Sequence, residues 1–442
     1  MKRIVKIIAM SMALASMPMT MWANSYEVSQ DEMLNRFLNY VKINSQSIDN
    51  KNQEVFPMTE GQKEMAQFLA DEAKALGANV YMCPNYYVYV EIPSNVKANV
   101  PTLGISCHYD VTPEAVSGNI TPKVIKYEGG DINQGGGRVI SPDSDMGQEL
   151  KNHIGKTIIH SDGTTLLGGD DKNGCAITMS VVESLIKGGK KVKHGKVQVV
   201  FCPNEDIGRS AEKIDKNHFN PDIIYDMDGE GGKDVAVSNF SARRVDVKFV
   251  GRQAHPGDAK RLKMGDALAA ASMYIASTPL ECRPENTEGR QGYIHSWKLD
   301  MDSTMTEYRV QTRIRYFDKS EGALFDSLVM TAIENVKRDF PNVKVEIVHD
   351  GVQYENVEYF MHPQSKDIIA KAAEKTGVEI KYIDSRGGVT ASMFCTKGLK
   401  GGMCVFTGQY ATHSTKEYSV LEEMHDAYRL MMEVVSQVAK VK

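Results

Sequence analysis

The first regular segments of the chain have the period of a helix. Ser29 and Glu32 have the spacing of a capping box, and apolar residues then recur at three- and four-residue intervals as far as Val41. A second run of this kind begins at Thr59 and ends at Gly77, a residue type that suits a left-handed helix terminus. Both segments are therefore predicted to be amphipathic helices with one face on a core.

Short apolar runs then alternate with amphipathic helical segments over most of the chain. The runs that predict buried strands are Leu103–Cys107, Val197–Phe201, Ile223–Met227 and Met403–Thr407. Strands that alternate with helices predict an α/β fold with a mostly parallel central sheet, whose ligands gather at the carboxyl ends of the strands. A long Gly- and Pro-rich stretch, residues 112–161, is expected to be a loop.

The pattern changes between residues 239 and 354. Within this segment Tyr308–Arg315 alternates as a strand, and Ala323–Val336 has helical spacing. The segment predicts an α+β sandwich of the split βαβ type that is inserted into the α/β domain. We therefore assign residues 24–238 and 355–442 to the main domain and residues 239–354 to the inserted domain.

The first 23 residues have the pattern of a signal peptide. Lys2, Arg3 and Lys6 precede the short apolar run Ile7–Ala15, and Ala23 is small enough to end a cleavage site. Polar residues close to that run make a membrane anchor the weaker interpretation. We expect an exported protein, periplasmic or secreted, whose mature chain has no membrane span.

Composition narrows the class of protein. The 442 residues are 42% hydrophobic and 25% charged, as in ordinary globular proteins. A net charge of −5 provides no basic field, so nucleic acid is not an expected partner. The cysteines include no CxxC pair, and several lie in apolar strand contexts. We predict buried thiols rather than disulfides or a thiolate metal site.

Acidic and histidine residues stand at or near the ends of the predicted strands. They are His108, Asp110, Asp170, Glu205, Asp206, Asp228 and His413. The centre of the set is the turn Leu166–Gly174, in which two glycines precede adjacent aspartates, and which by itself is typical of a solvated acidic turn. A pair of zinc ions needs histidine and carboxylate ligands, a carboxylate that can bridge, and a base near the attacking water. The set supplies each of these residue types.

A series of motifs in a fixed order carries a resemblance to a known family. They are His108-Tyr-Asp110, Tyr127-Glu-Gly-Gly-Asp-Ile132, Ser141-Pro142, Asp162-Gly-Thr-Thr-Leu-Leu-Gly-Gly-Asp-Asp-Lys172, Pro203-Asn-Glu-Asp-Ile-Gly208, Asp228-Gly229, Ala254-His-Pro-Gly257, Ile314-Arg-Tyr-Phe-Asp318, Arg386-Gly-Gly388 and His413-Ser-Thr-Lys-Glu417. From about Asp31 to its end, the chain resembles the peptidase T group of the co-catalytic zinc metallopeptidases. That family also includes aminoacylases, carnosinases and carboxypeptidase G.

The resemblance implies a tripeptide aminopeptidase with two zinc ions in each subunit. His108, Asp170 and Asp228 would hold one ion, and Asp170, Asp206 and His413 would hold the other. Asp170 would be the bridging ligand, and the peptide bond after it would be cis.

The resemblance also implies the roles of other residues and the partners. Glu205 would be the general base, and Asp110 would orient His108. The inserted domain would be a lid and dimerisation domain, so the expected partners are a short peptide substrate and a second copy of the chain. From that domain His255 would reach a neighbouring active site, while Arg315 and Arg386 would bind the substrate carboxylate.

Two departures from the family pattern leave alternatives open. Glu205-Asp206 stands where the family has two glutamates, and Val389-Thr390-Ala391 stands where it has Thr-Asp-Gly. The first is expected to alter the second zinc position and the second to alter the substrate pocket. A related dipeptidase or N-acyl amino-acid deacylase is one alternative, and an exported peptide-binding protein without turnover is another.

Overall fold

A computed structural model describes residues 26–48, 55–57 and 59–441. The predicted signal peptide, residues 1–23, lies outside the described residues. The helices are α1 Gln30–Val41, α2 Glu60–Leu76, α3 Gly169–Gly188, α4 Ala267–Ala276, α5 Lys319–Asp339, α6 Ser365–Thr376, α7 Thr390–Cys395 and α8 Leu421–Val438. The strands are β1 Asn79–Met82, β2 Val88–Ile92, β3 Leu103–His108, β4 Lys123–Lys126, β5 Ile132–Gly135, β6 Arg138–Ile140, β7 Thr157–His160, β8 Val197–Cys202, β9 Ile223–Glu230, β10 Asp234–Asn239, β11 Ser241–Val250, β12 Tyr293–Met301, β13 Glu307–Tyr316, β14 Lys344–Tyr354, β15 Lys381–Ser385, β16 Gly402–Tyr410 and β17 Tyr418–Val420.

The two N-terminal helices begin and end where the sequence predicts. The Ser29 hydroxyl accepts the backbone N–H of Glu32, and the Glu32 carboxylate accepts the backbone N–H of Ser29, which completes the capping box of α1. Gly77 ends α2 with a φ of 96°, a conformation that glycine adopts without a steric penalty.

An eleven-stranded mixed sheet forms the centre of the main domain. Its strands follow the order β1-β2-β8-β3-β9-β16-β17-β7-β4, and off this path β10 pairs with β16 while β15 pairs with β10. The middle strands β8, β3, β9 and β16 are parallel, and antiparallel strands extend the sheet on both sides. Helices α1, α3 and α8 contribute to the large core that covers the sheet. The predicted α/β fold with a mostly parallel centre is confirmed.

The stretch of residues 112–161 is not a continuous loop, so that prediction is wrong. It contains β4 and β7, which pair with each other at one edge of the main sheet, and β5 and β6, which form a separate two-stranded sheet. These strands are only three or four residues long, and β4 alternates between half-buried and exposed positions. Short strands without an apolar run leave little signal in the sequence.

A separate four-stranded antiparallel sheet lies within residues 239–354, in the order β12-β13-β11-β14. Apolar side chains of α4 and α5 share a core with this sheet. Its elements follow one another as strand, helix, strand, strand, helix, strand, which is the split βαβ arrangement. The predicted domain limits remain a prediction.

The structure also shows the state of the cysteines and the character of the helices. All seven cysteines are free thiols and six of them are buried, as predicted. In the part of the chain that the structure describes, no helix combines the length and the apolar content needed to cross a membrane.

Candidate active site

The parallel strands bring the predicted metal-binding and catalytic residues together at the carboxyl ends of the main sheet. His108 is the last residue of β3, Glu205 and Asp206 follow β8, and Asp228 lies near the end of β9. Because β8, β3 and β9 are adjacent and parallel, these residues meet at the carboxyl ends of their strands. His413 arrives from the loop after the neighbouring parallel strand β16.

Asp170 stands between the two histidines and offers each of them a different oxygen. Its Oδ1 lies 3.1 Å from Nε2 of His108, and its Oδ2 lies 3.3 Å from Nε2 of His413. The peptide bond between Asp170 and Asp171 is cis, as the family resemblance implies. A carboxylate whose two oxygens face two separate imidazoles has the arrangement of a bridging ligand.

His108 is buried among carboxylates. Its Nε2 lies 3.4 Å from Oδ1 of Asp228 and 3.9 Å from Oε2 of Glu205. Its Nδ1 lies 3.3 Å from Oδ1 of Asp110. His108, Asp170 and Asp228 form one group whose potential ligand atoms all lie within 4.8 Å of one another.

His413, Asp170 and Asp206 form a second group with the same spacing. The Nε2 atom of His413 lies 3.0 Å from Oδ1 of Asp206, so the aspartate reaches the histidine although the family has the longer glutamate here. The Nδ1 atom of His413 lies 3.0 Å from Oε2 of Glu114.

Several acidic side chains lie close together in the cluster, and this shifts their pKa values and that of His413. Burial raises the pKa of Asp206 to about 7, and repulsion from Asp170 adds to this effect. Burial likewise raises the pKa of Asp228 to about 7. Burial also raises the pKa of Asp170, but hydrogen bonds to His108 and His413 outweigh it and hold that pKa below its ordinary value. Hydrogen bonds to Asp170 and Asp206 raise the pKa of His413 to about 12.

Divalent cations suit this donor set. Oδ2 of Asp206 is buried and has no hydrogen-bond partner in the part of the chain that the structure describes. A buried carboxylate oxygen without a partner is costly unless a cation or a donor meets it. Two imidazoles and three carboxylates in two overlapping groups are ligands that zinc accepts. The residues present therefore fit a pair of metal ions.

Two residues without a predicted role hold this cluster in place. Asp171 accepts the backbone N–H of His108 at 3.1 Å and that of Gly174 at 3.0 Å, so it ties the end of β3 to the start of α3. Glu114 contacts His413 from residues 112–161. Asp171 was visible as the second acid of the central turn, whereas nothing in the local pattern marks Glu114.

The predicted substrate residues make their hydrogen bonds with residues outside the metal cluster. His255 is exposed, and its Nδ1 accepts the backbone N–H of Gly257 at 3.2 Å. The buried Arg315 donates to the backbone oxygen of Ile314 at 3.0 Å. Arg386 donates to the loop before β12, with Nη1 2.8 Å from the backbone oxygens of both Gly289 and Gln291. The substrate roles of His255, Arg315 and Arg386 stay predictions.

The Val389-Thr390-Ala391 departure lies in the interior. All three residues are buried at the start of α7. The backbone N–H of Ala391 donates to Oδ2 of Asp226 at 2.9 Å, and Oδ1 of Asp226 accepts the Ser106 hydroxyl at 2.6 Å. Asp226 therefore links α7 to β3 and β9.

Comparisons with known proteins identify the family of the chain. The model of peptidase family M20/M25/M40 matches residues 157–437. Peptidase T of Shouchella clausii is 34% identical over 415 residues, which cover 93% of this chain and 99% of the relative.

Solved structures share the fold. A tripeptidase from Staphylococcus aureus superposes with a TM-score of 0.71 at 20% identity, covering 94% of this chain and 100% of that one. A dinuclear metal-binding M20 peptidase from Bacillus subtilis superposes with a TM-score of 0.63 at 14% identity, covering 93% of this chain and 99% of that one.

The expectation of export is wrong. It rested on the first 23 residues, whereas the peptidase T relatives that match 93% of the chain are cytoplasmic enzymes. The family assignment itself rests on the matched residues, which include the whole acidic turn and every later member of the cluster. The chain belongs to peptidase family M20/M25/M40 and, within it, to the peptidase T group of hydrolytic aminopeptidases.

Proposed function

We propose that two zinc ions, held by His108, Asp170, Asp228, Asp206 and His413, serve the release of the N-terminal residue from tripeptides. The observation that carries this proposal is the sharing of Asp170, whose Oδ1 faces His108 at 3.1 Å and whose Oδ2 faces His413 at 3.3 Å. When bound, the ions polarise the scissile carbonyl and lower the pKa of a nearby water.

Glu205 is the general base of the proposed reaction. It faces the cluster, with Oε2 3.9 Å from Nε2 of His108, yet among the described residues it belongs to none of the groups that could hold a metal. A carboxylate in this position is free to take a proton from the attacking water while the water oxygen bonds to the carbonyl carbon. Glu205 then gives that proton to the leaving amine as the carbon–nitrogen bond breaks.

Carboxylates beside the Nδ1 atoms orient the two histidines. Asp110 lies 3.3 Å from Nδ1 of His108, and Glu114 lies 3.0 Å from Nδ1 of His413. A carboxylate on the far nitrogen fixes the tautomer and the ring orientation, so that Nε2 is left for the metal. Asp110 also belongs to a candidate group with His108 and Asp206, but its contacts with backbone N–H groups favour the orienting role.

A homodimer through the inserted domain is part of the same proposal. The edge strands β12 and β14 expose large apolar side chains, among them Trp297, Leu299, Val348 and Val352. Exposed apolar side chains on strands at the edges of a sheet are typical of interfaces between subunits. Sedimentation of the wild-type protein and of a Leu299→Glu variant tests this interface. We expect the wild type to be a dimer and the variant to be a monomer.

Metal reconstitution tests the proposed function directly. The protein is stripped with a chelator and titrated with zinc while tripeptide hydrolysis and bound metal are both measured. We expect hydrolysis to be absent without metal and to reach its plateau at two ions per subunit. Full hydrolysis by the metal-free protein would contradict the proposal, as would a plateau at one ion.

A further inference from the structure

Glu417 makes an unusual set of contacts for a glutamate. Its side chain is buried, and its Oε2 accepts the backbone N–H of Leu167 at 2.8 Å and that of Gly168 at 2.7 Å. Its Oε1 accepts the backbone N–H of Asp170 at 2.9 Å. One carboxylate thus collects three backbone donors from the single turn that presents Asp170.

That turn cannot satisfy these donors by itself. Gly168 has a φ of 81°, and Asp170 and Asp171 have backbone angles outside the helical range although α3 is already beginning. The first N–H groups of a helix have no partner within the helix. Glu417 supplies the missing acceptor from a distant part of the chain, and a buried N–H without one would destabilise the turn.

The turn lies so close to Glu417 and Ser419 that only glycine fits at position 169. A Cβ atom at Gly169 would lie 2.6 Å from Oγ of Ser419 and 3.3 Å from Oε1 of Glu417. Only a residue without a side chain lets the turn approach the 417–419 segment this closely without displacing it. The turn and the segment are therefore fitted to each other.

The segment that carries Glu417 also carries His413. Three residues separate them, and His413 itself has a φ of 58°, in the left-handed region. One short stretch of chain therefore supplies a predicted metal ligand and fixes the backbone of the predicted bridging ligand, whose Oδ2 lies 3.3 Å from Nε2 of His413.

We infer that Glu417 is a positioning residue that sets Asp170 between the two metal positions. The inference rests on the proposed function, because it concerns the ligand that both ions would share. Since Asp170 belongs to both groups of potential ligands, displacement of its turn should weaken both metal positions together. Loss of an ordinary ligand of one group would weaken mainly the position that it serves.

The substitution Glu417→Gln tests this inference with little change of size. The amide keeps one oxygen acceptor, but its NH₂ group faces a backbone N–H that needs an acceptor. A matched control exists five residues later in the chain. Glu422 accepts the backbone N–H of Thr157 at 2.8 Å and its hydroxyl at 3.1 Å, so Glu422→Gln removes similar contacts outside the metal cluster.

Zinc is added back to the metal-free proteins, and competition with a chelating dye measures its affinity and the number of ions bound. Circular dichroism checks that each variant is folded. We expect two ions in the wild type, affinity weakened by about 10–100-fold at both positions in Glu417→Gln, and no change in Glu422→Gln. Wild-type affinity in a folded Glu417→Gln protein overturns the inference.

Two further outcomes are distinguishable. If Glu417→Gln does not fold, Gly169→Ala perturbs the same contact from the other side, and unchanged zinc affinity in that variant overturns the inference. A wild-type protein that does not bind two zinc ions overturns the proposed function itself, whatever the variants do.

Discussion

The Oδ1 atom of Asp110 accepts the backbone N–H of Glu205 at 2.9 Å. Its Oδ2 accepts the backbone N–H of Asp206 at 3.2 Å and the hydroxyl of Ser47. The carboxylate that lies beside Nδ1 of His108 therefore also fixes the loop that carries the proposed base and a proposed ligand. A single buried acid connects the end of β3 with the loop after β8.

Asp110→Asn should weaken zinc binding by about 10–100-fold, because a partner on the far side of a ligating histidine contributes that much in comparable sites. The asparagine keeps one acceptor but places an NH₂ group where two backbone N–H groups and the imidazole converge. Competition with a chelating dye measures the change. Asp143→Asn, which removes an exposed ion pair with Lys151, is the matched control, and equal affinities in the two variants would refute the role of Asp110.

Glu205→Gln should reduce the turnover number by about 10²–10⁴-fold, the range that a general base contributes. The amide cannot accept the water proton, whereas the five proposed ligands are unchanged. Steady-state kinetics with a free tripeptide measures turnover, and elemental analysis measures bound zinc. Two retained ions and little turnover are the expected pair of results. A variant that hydrolyses peptide at the wild-type rate would exclude Glu205 as the base.

Asp206→Ala should lower the zinc content from two ions to one, because Asp206 belongs to the His413 group while His108, Asp170 and Asp228 remain. Asp228→Ala is the mirror-image variant and should leave the ion of the His413 group. Mass spectrometry of the intact native proteins counts the ions. Two ions in either variant would show that the assignment of ligands to positions is wrong.

The stabilisation that zinc confers should grow as the pH rises from 5 to 8. Burial raises the pKa of Asp206 and of Asp228 from the ordinary 3.8 to about 7 in the metal-free protein. Because the folded state holds these protons after the unfolded chain has lost them, the two acids make the metal-free protein less stable as the pH rises through that window. Zinc must displace the same protons, so its affinity should rise by about tenfold per pH unit for each proton displaced.

Differential scanning calorimetry with zinc and with chelator, at pH 5 and at pH 8, measures this effect. The expected result is a small difference in Tm at pH 5 and a large one at pH 8. An equal difference at both pH values would mean that ionisation of these carboxylates is not coupled to metal binding.

The sequence predicts a site residue well where an apolar run that forms a strand is followed directly by a histidine or an acid. The apolar run of β3 ends in His108 and that of β9 leads into Asp228, so both positions follow from local pattern alone. The sharing of Asp170 does not follow from it, because the contact with His413 depends on which strands become neighbours in the sheet. The contact of Arg386 with Gly289 is equally non-local.

The predictions that the structure contradicts failed for physical reasons. Strands β4 to β7 are only three or four residues long, too short to interrupt a Gly-rich stretch with an apolar run. Glu417 was noted only as a motif residue, since nothing local indicates that its carboxylate accepts three N–H groups from residues 167–170. The export prediction used only the composition of the first 23 residues, and the relatives that contradict it match the rest of the chain.

Hydrolysis of one free tripeptide, its N-acetylated form and the matching dipeptide, each with zinc and with chelator, tests the central claim most directly. The account predicts zinc-dependent release of the N-terminal residue from the free tripeptide and far slower reaction of the other two. Cleavage confined to the dipeptide or to the acetylated peptide would contradict it in favour of a related dipeptidase or deacylase. Absence of any cleavage while two zinc ions are bound would contradict it in favour of a peptide-binding protein.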